Sequence, residues 1–122
     1  MIILLVLSGL AFAVIFFTGF LLSRKGKPYN TLLSTIHKLI AMGILVFFII
    51  FVFQTNRSSP ISALEISASG LTVLLFLALI ATGGILSAAK TIPRGIQIAH
   101  RILPYLAILS SASSLYLFLF RA

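Results

Sequence analysis

The chain carries two histidines, His37 and His100, one acidic residue, Glu65, and no cysteine among 122 residues. Without thiolates there are no disulfides, iron–sulfur clusters, thiolate zinc sites or cysteine nucleophiles. With one carboxylate, paired-carboxylate acid–base catalysis and carboxylate cages for calcium are excluded too. No nucleophile–base–acid set can be assembled, which speaks against a hydrolase or transferase. What is left for chemistry is a pair of imidazoles, and imidazole is a ligand for haem iron.

The histidines lie in matching surroundings. Thr18-Gly19-Phe20-Leu21-Leu22-Ser23 recurs as Thr82-Gly83-Gly84-Ile85-Leu86-Ser87, with Thr, Gly, Leu and Ser in register at an offset of 64. Downstream, Thr35-Ile36-His37-Lys38-Leu39-Ile40 recurs as Ile98-Ala99-His100-Arg101-Ile102-Leu103, the histidines being 63 apart. Ser8-Gly9-Leu10 and Ser69-Gly70-Leu71 form a weaker echo at an offset of 61. The plain reading is a duplicated helical hairpin with units of about 1–60 and 61–122. Two helices return each unit to its starting side, so the units are parallel and related by an axis along a membrane normal.

The elements that must position these residues are four apolar runs. Hydrophobic residues make up 61% of the chain and charged ones 8%, with a mean hydropathy of +1.25. A soluble domain carries about 25% charged residues, so the chain is read as an integral membrane protein. The runs predict helices over about 2–22, 32–53, 63–88 and 96–120. Each matches the roughly 20 apolar residues needed to cross a bilayer. They are apolar on all sides, as membrane spans are, and lack the alternation of barrel strands. The breaks between them, Arg24 to Thr31, Gln54 to Ser62 and Lys90 to Gly95, are short. The fold class is therefore all-α, an integral membrane four-helix up-down bundle built from two repeated helical hairpins.

Helix ends carry their own signals. Asn30 or Thr31 caps the second helix. Ser62 with Glu65 forms a capping box for the third, which gives the single acid a structural job. Pro93 suits the first turn of the fourth. Of nine basic residues, seven flank the first and last connections: Arg24, Lys25, Lys27, Lys38, Lys90, Arg94 and Arg101. The positive-inside rule then puts those connections in the cytoplasm and both termini outside, in the inner or plasma membrane. The first run is no cleavable signal peptide, because its charges follow the apolar stretch instead of preceding it.

Helices two and four run the same way, and each histidine lies about five residues inside its helix at the cytoplasmic end. The two rings must then share one depth. In an up-down bundle those helices stand at diagonal corners, so inward-facing imidazoles meet across the core and cradle a six-coordinate haem. Gly19 and Gly83 leave room for a flat macrocycle beside the backbone. Thr18 and Thr82 are placed to accept the remaining imidazole N–H and fix the tautomer. Lys38 and Arg101 can snorkel to the interface and meet haem propionates. The plainer roles of the same residues are cation anchors for Lys38 and Arg101 and close helix contacts for the Thr-Gly pairs. Met42 reads as packing, having no repeat equivalent. Pro104 bends the fourth helix four residues after His100, where the second helix has Ala41. Ser110-Ser111-Ala112-Ser113-Ser114 marks a close helix–helix face.

In this outline, with His37 and His100 flanked by Lys38 and Arg101, the chain resembles the small membrane-embedded b-type cytochromes and the cytochrome b membrane subunits of respiratory complexes. The resemblance implies one haem b per chain, axial histidines at His37 and His100, and one-electron transfer. It also implies partners in the bilayer: a quinone pool or the subunits of a larger redox complex, with a redox partner at the cytoplasmic face. Many of those cytochromes carry four histidines and two haems, and this chain has no outer pair. Whether a haem lies within one chain or between two copies stays open. A second class, a cofactor-free accessory subunit of a membrane complex, fits the short loops and small residues. Proton-coupled transport lacks its embedded carboxylate, and nucleic-acid binding lacks a basic groove.

Overall fold

The computed structural model describes residues 2–121 and is made of four long helices: α1, Ile2–Lys25; α2, Thr31–Ser58; α3, Ala63–Ala88; and α4, Arg94–Leu119. There is no strand among the described residues. All four helices are long and apolar enough to cross a membrane. At about 1.5 Å per residue each exceeds the roughly 30 Å hydrocarbon thickness. Leu10, Phe17, Leu39, Phe53, Leu74 and Leu109 are exposed, as side chains meeting lipid are. Helices α1 and α2 continue through Lys25 and Ser58, past the apolar runs at 22 and 53. Hydropathy marks where the apolar residues stop, whereas the backbone hydrogen bonds persist through the polar residues beyond them.

The helix ends follow from local chemistry. Gly26, with φ 68°, closes α1 by donating its N–H to the Leu22 carbonyl at 3.0 Å, a conformation that costs glycine little. Asn30 is the cap of α2, its Oδ1 accepting the Leu33 N–H at 3.0 Å. At α3 the capping box is complete. Ser62 Oγ accepts the Glu65 N–H at 3.2 Å, and Glu65 Oε2 accepts the Ser62 N–H at 2.6 Å. Pro93 stands one residue earlier than its expected place, at the cap position of α4, and supplies no side-chain acceptor.

The chain divides into two compact units, one up to Ile44 and one from Leu45 onward. The division falls inside α2, not at residue 60 or 61 where the sequence repeat divides. In the second unit α3 and α4 pack as an antiparallel hairpin. Halfway along it Thr72 and Ser114 are fully buried, and Thr72 Oγ1 lies 2.7 Å from Ser110 Oγ and 3.1 Å from Ser114 Oγ. Phe76 and Ala107 are buried next to this clasp. At the end of the hairpin away from the α3–α4 connection, Arg121 Nε pairs with Glu65 Oε1 at 3.2 Å. Its Nη2 donates to the Pro60 carbonyl at 2.6 Å and the Ser59 carbonyl at 3.3 Å. Phe51 of α2 meets Phe118 edge to face, centroids 5.5 Å apart.

Candidate functional site

Each histidine is the seventh residue of its helix, His37 in α2 from Thr31 and His100 in α4 from Arg94. Each faces the last third of the preceding helix. In the first unit His37 Nδ1 lies 2.9 Å from Thr18 Oγ1. In the second, His100 Nδ1 lies 2.7 Å from Thr82 Oγ1. Both threonines also bond back along their own helices. Thr18 Oγ1 reaches the Val14 and Ile15 carbonyls at 2.9 and 3.1 Å, and Thr82 Oγ1 reaches the Ala78 and Leu79 carbonyls at 2.8 and 3.1 Å.

Those distances bear on where the ring proton lies. A threonine hydroxyl has one hydrogen and a carbonyl can only accept. If the hydroxyl hydrogen goes to the carbonyl, the contact to the imidazole is a hydrogen bond only when Nδ1–H donates to Oγ1. In a neutral ring that arrangement leaves the lone pair on Nε2, whereas a hydroxyl donating to Nδ1 leaves the proton there. The former is how a metal-binding histidine is commonly held: the far nitrogen donates to a fixed oxygen, which sets tautomer and orientation.

The glycines complete the seat. A Cβ on Gly19 would stand 3.0 Å from His37 Cε1, and one on Gly83 would stand 3.1 Å from His100 Cε1. Any side chain there presses on the ring, so glycine lets the imidazole lie against the neighbouring helix. What the two glycines make room for in the structure is therefore the histidine itself. The duplicated Thr-Gly and His segments are two copies of one device, a threonine acceptor and a glycine floor beneath an imidazole.

Lys38 and Arg101, next in sequence, are exposed. Among the described residues no three His, Cys, Asp or Glu side chains gather as a metal cluster. A haem iron, whose other four ligands are porphyrin nitrogens, needs only two from protein. Two imidazoles are the number of ligands such a group takes from protein, and a neutral ring whose Nδ1–H is on the threonine offers Nε2.

Sequence reading misses two features of the second unit. Glu65 is tied to Arg121 as well as to its capping partner, a pairing signalled only by both residues lying at the same membrane side. The serine run of α4 signals a close helix face, but nothing in the sequence singles out Thr72 as its partner. Comparison of the chain with protein-family models, with curated proteins and with solved structures gives no match.

Proposed function

We propose that the chain is a membrane b-type haem protein in which His37 and His100 are the axial ligands and electrons pass one at a time. The observation that carries this reading is the twofold occurrence of the Thr–His–Gly seat. A threonine oxygen at Nδ1 of each ring is the kind of partner that orients a ligating histidine. When bound, a haem would supply a one-electron iron couple, with His37 and His100 as the residues that would hold it. The chain's own contribution is to hold each ring at Nδ1, aim Nε2, and keep water away with apolar helices. Lys38 and Arg101 stand at the interface end of the same helices, where cations stabilise propionates.

By the positive-inside rule the Arg24–Lys38 and Lys90–Arg101 regions face the cytoplasm and both termini lie outside. The haem then lies near the cytoplasmic surface. A single centre there does not bridge a bilayer core of about 30 Å. The chain accordingly serves as a relay between a quinone or neighbouring membrane subunit and a redox partner at that surface.

A reduced-minus-oxidised spectrum of protein purified in detergent from haem-supplied cells tests this. Sharp b-type bands, one haem per chain, and their loss in the double variant His37→Ala with His100→Ala are expected. A colourless protein, or bands that survive the double substitution, overturns the reading and leaves a cofactor-free subunit.

A further inference from the structure

We propose that the face of α4 carrying Arg94, Gln97 and Arg101 is a seat for the phosphate of an anionic phospholipid. The inference needs no cofactor. It goes beyond the electron-transfer reading, because it concerns exposed residues beside the histidine seat and not the seat itself.

Helix α4 begins at Arg94, and Arg101 is its eighth residue. Seven residues make two turns less about 20°, so both guanidinium groups leave the same face, about 10.5 Å apart along the axis. Gln97 lies between them, and Lys90 stands just ahead in the α3–α4 connection. All four side chains are exposed. None of them enters a hydrogen bond or ion pair among the described residues. The single acid of the chain, Glu65, is at the other end of α3, paired with Arg121. From Glu65 to Ala88 that helix runs about 35 Å, several Debye lengths at physiological salt. The face is a cationic surface with no counter-ion of its own.

Topology alone does not require this arrangement. A positive-inside signal needs cations in the connection, where Lys90 already stands. Arg101 lies two turns into a helix long and apolar enough to cross a membrane. A cation at such a place is costly unless something meets it. Helix α2 carries one at the same depth: Lys38 is its eighth residue and is exposed. At the offset of 63 that relates the histidines, Thr31, Ser34 and Lys38 stand where α4 has Arg94, Gln97 and Arg101. Both copies thus present hydrogen-bonding residues at the first, fourth and eighth positions, and α4 holds the more cationic set.

A phosphodiester suits that set in charge and in shape. A guanidinium offers paired N–H donors to two phosphate oxygens at once. Arg101 snorkels up toward the headgroup plane while Arg94 meets it from the helix end. Gln97 adds an amide NH₂. An anionic lipid is preferred, because a zwitterionic headgroup brings an ammonium into a field of like charge. By the positive-inside rule this end also faces the leaflet that holds the anionic lipids.

The test titrates the full chain in detergent with phosphatidylglycerol, with phosphatidylcholine of the same acyl chains, and with inorganic phosphate. Bound lipid is counted by native mass spectrometry. Phosphatidylglycerol should bind more tightly than phosphatidylcholine, resist displacement by inorganic phosphate and raise the melting temperature. Arg94→Gln with Arg101→Gln should weaken it about thirtyfold, the roughly 2 kcal/mol of two cations at a membrane surface. Arg94→Lys with Arg101→Lys keeps the charge, and should keep the lipid preference while losing part of the affinity along with the bidentate fork. Arg57→Gln, which removes an exposed cation from the last turn of α2, should change nothing. Equal binding of the two lipids, or an equal loss in Arg57→Gln, would reduce the effect to diffuse attraction by the net charge of +8 and overturn the seat. Displacement of the lipid by inorganic phosphate would overturn the lipid as its occupant. None of these readouts depends on pigment, so they stand or fall apart from the haem spectrum.

Discussion

Thr18 and His37 meet at 2.9 Å in the first unit, and Thr82 and His100 meet at 2.7 Å in the second. Both pairs also share a glycine under the ring and a hydroxyl bonded back along its own helix. Gly19 and Gly83 are kept where a methyl would strike the ring. Ten residues beyond the histidines the resemblance has gone, with Ser110 and Ser114 on one side of the comparison and Phe47 and Phe51 on the other. The duplicated part is the part that holds an imidazole, and the divergent part is helix framework. The repetition follows the imidazole and not the closest helix contacts. If the threonine and glycine were only small residues easing helix contact, the framework residues that make closer contacts would be expected to repeat as well.

The comparison can be broken most forcefully at Glu65. Its carboxylate serves two partners, the Ser62 N–H and the Arg121 guanidinium. Glu65→Ala removes the reciprocal half of the capping box and leaves Arg121 without its counter-ion. It should lower the melting temperature in detergent more than any single substitution at Gly19, Gly83 or Thr72. Glu65→Gln keeps an oxygen for the Ser62 N–H and should lose distinctly less. Hydrogen exchange should place the damage at the start of α3 and spare residues 2–44. A melting temperature unchanged in Glu65→Ala would remove the clamp from the account.

Next in size are the glycines. Overpacking a close contact costs about 1–3 kcal/mol. The methyl of Gly83→Ala meets His100 Cε1 at 3.1 Å, and that of Gly19→Ala meets His37 Cε1 at 3.0 Å. The intrusions are nearly equal, so a difference in cost reports how freely each hairpin yields. The clasp keeps α4 from backing away, and Gly83→Ala should cost about 1 kcal/mol more than Gly19→Ala. Equal costs would mean that both hairpins yield alike and that the clasp does not stiffen its unit.

The clasp itself comes third. Interhelical hydrogen bonds in membranes average about 0.6 kcal/mol, with an upper range near 1.7. Thr72 bridges two serines, and Thr72→Val leaves both hydroxyls to find other partners. A loss of about 1 kcal/mol in a reversible unfolding titration is expected, with Ser110→Ala and Ser114→Ala each costing less.

Much of this is legible in the amino-acid order, and the boundary of legibility has a physical cause. Four spans, short connections and the cap formed by Ser62 and Glu65 are local: each is written in a contiguous stretch and needs no partner elsewhere. Asn30 is one of two residues the sequence offers as the cap of α2, and the structure selects it by its bond to the Leu33 N–H. The His, Thr and Gly positions stand out because duplication prints them twice. Arg121 with Glu65, and Thr72 with Ser110, occur once and join residues far apart in sequence. Uniformly apolar helices offer no amphipathic stripe to say which face of α3 meets α4. Such pairings become visible only when the helices are in register.

The smallest energetic effect carries the sharpest structural information. Thr18→Val and Thr82→Val preserve shape and remove the acceptor of Nδ1–H, so each should cost about 0.6 kcal/mol, the mean for such a bond in a membrane. Their value lies in the ring nitrogens. At about pH 8, above the ordinary titration range of imidazole, nitrogen chemical shifts of the haem-free protein should show Nδ1 protonated and Nε2 bare in both histidines. In each valine variant only the ring facing the substitution should become a mixture of tautomers, because nothing then favours a proton on Nδ1. The other ring, in its own hairpin, should keep its signature. A wild-type ring protonated at Nε2 would show the hydroxyl donating to the imidazole instead of to the helix carbonyl. That would turn the ring's lone pair toward the threonine and away from any metal.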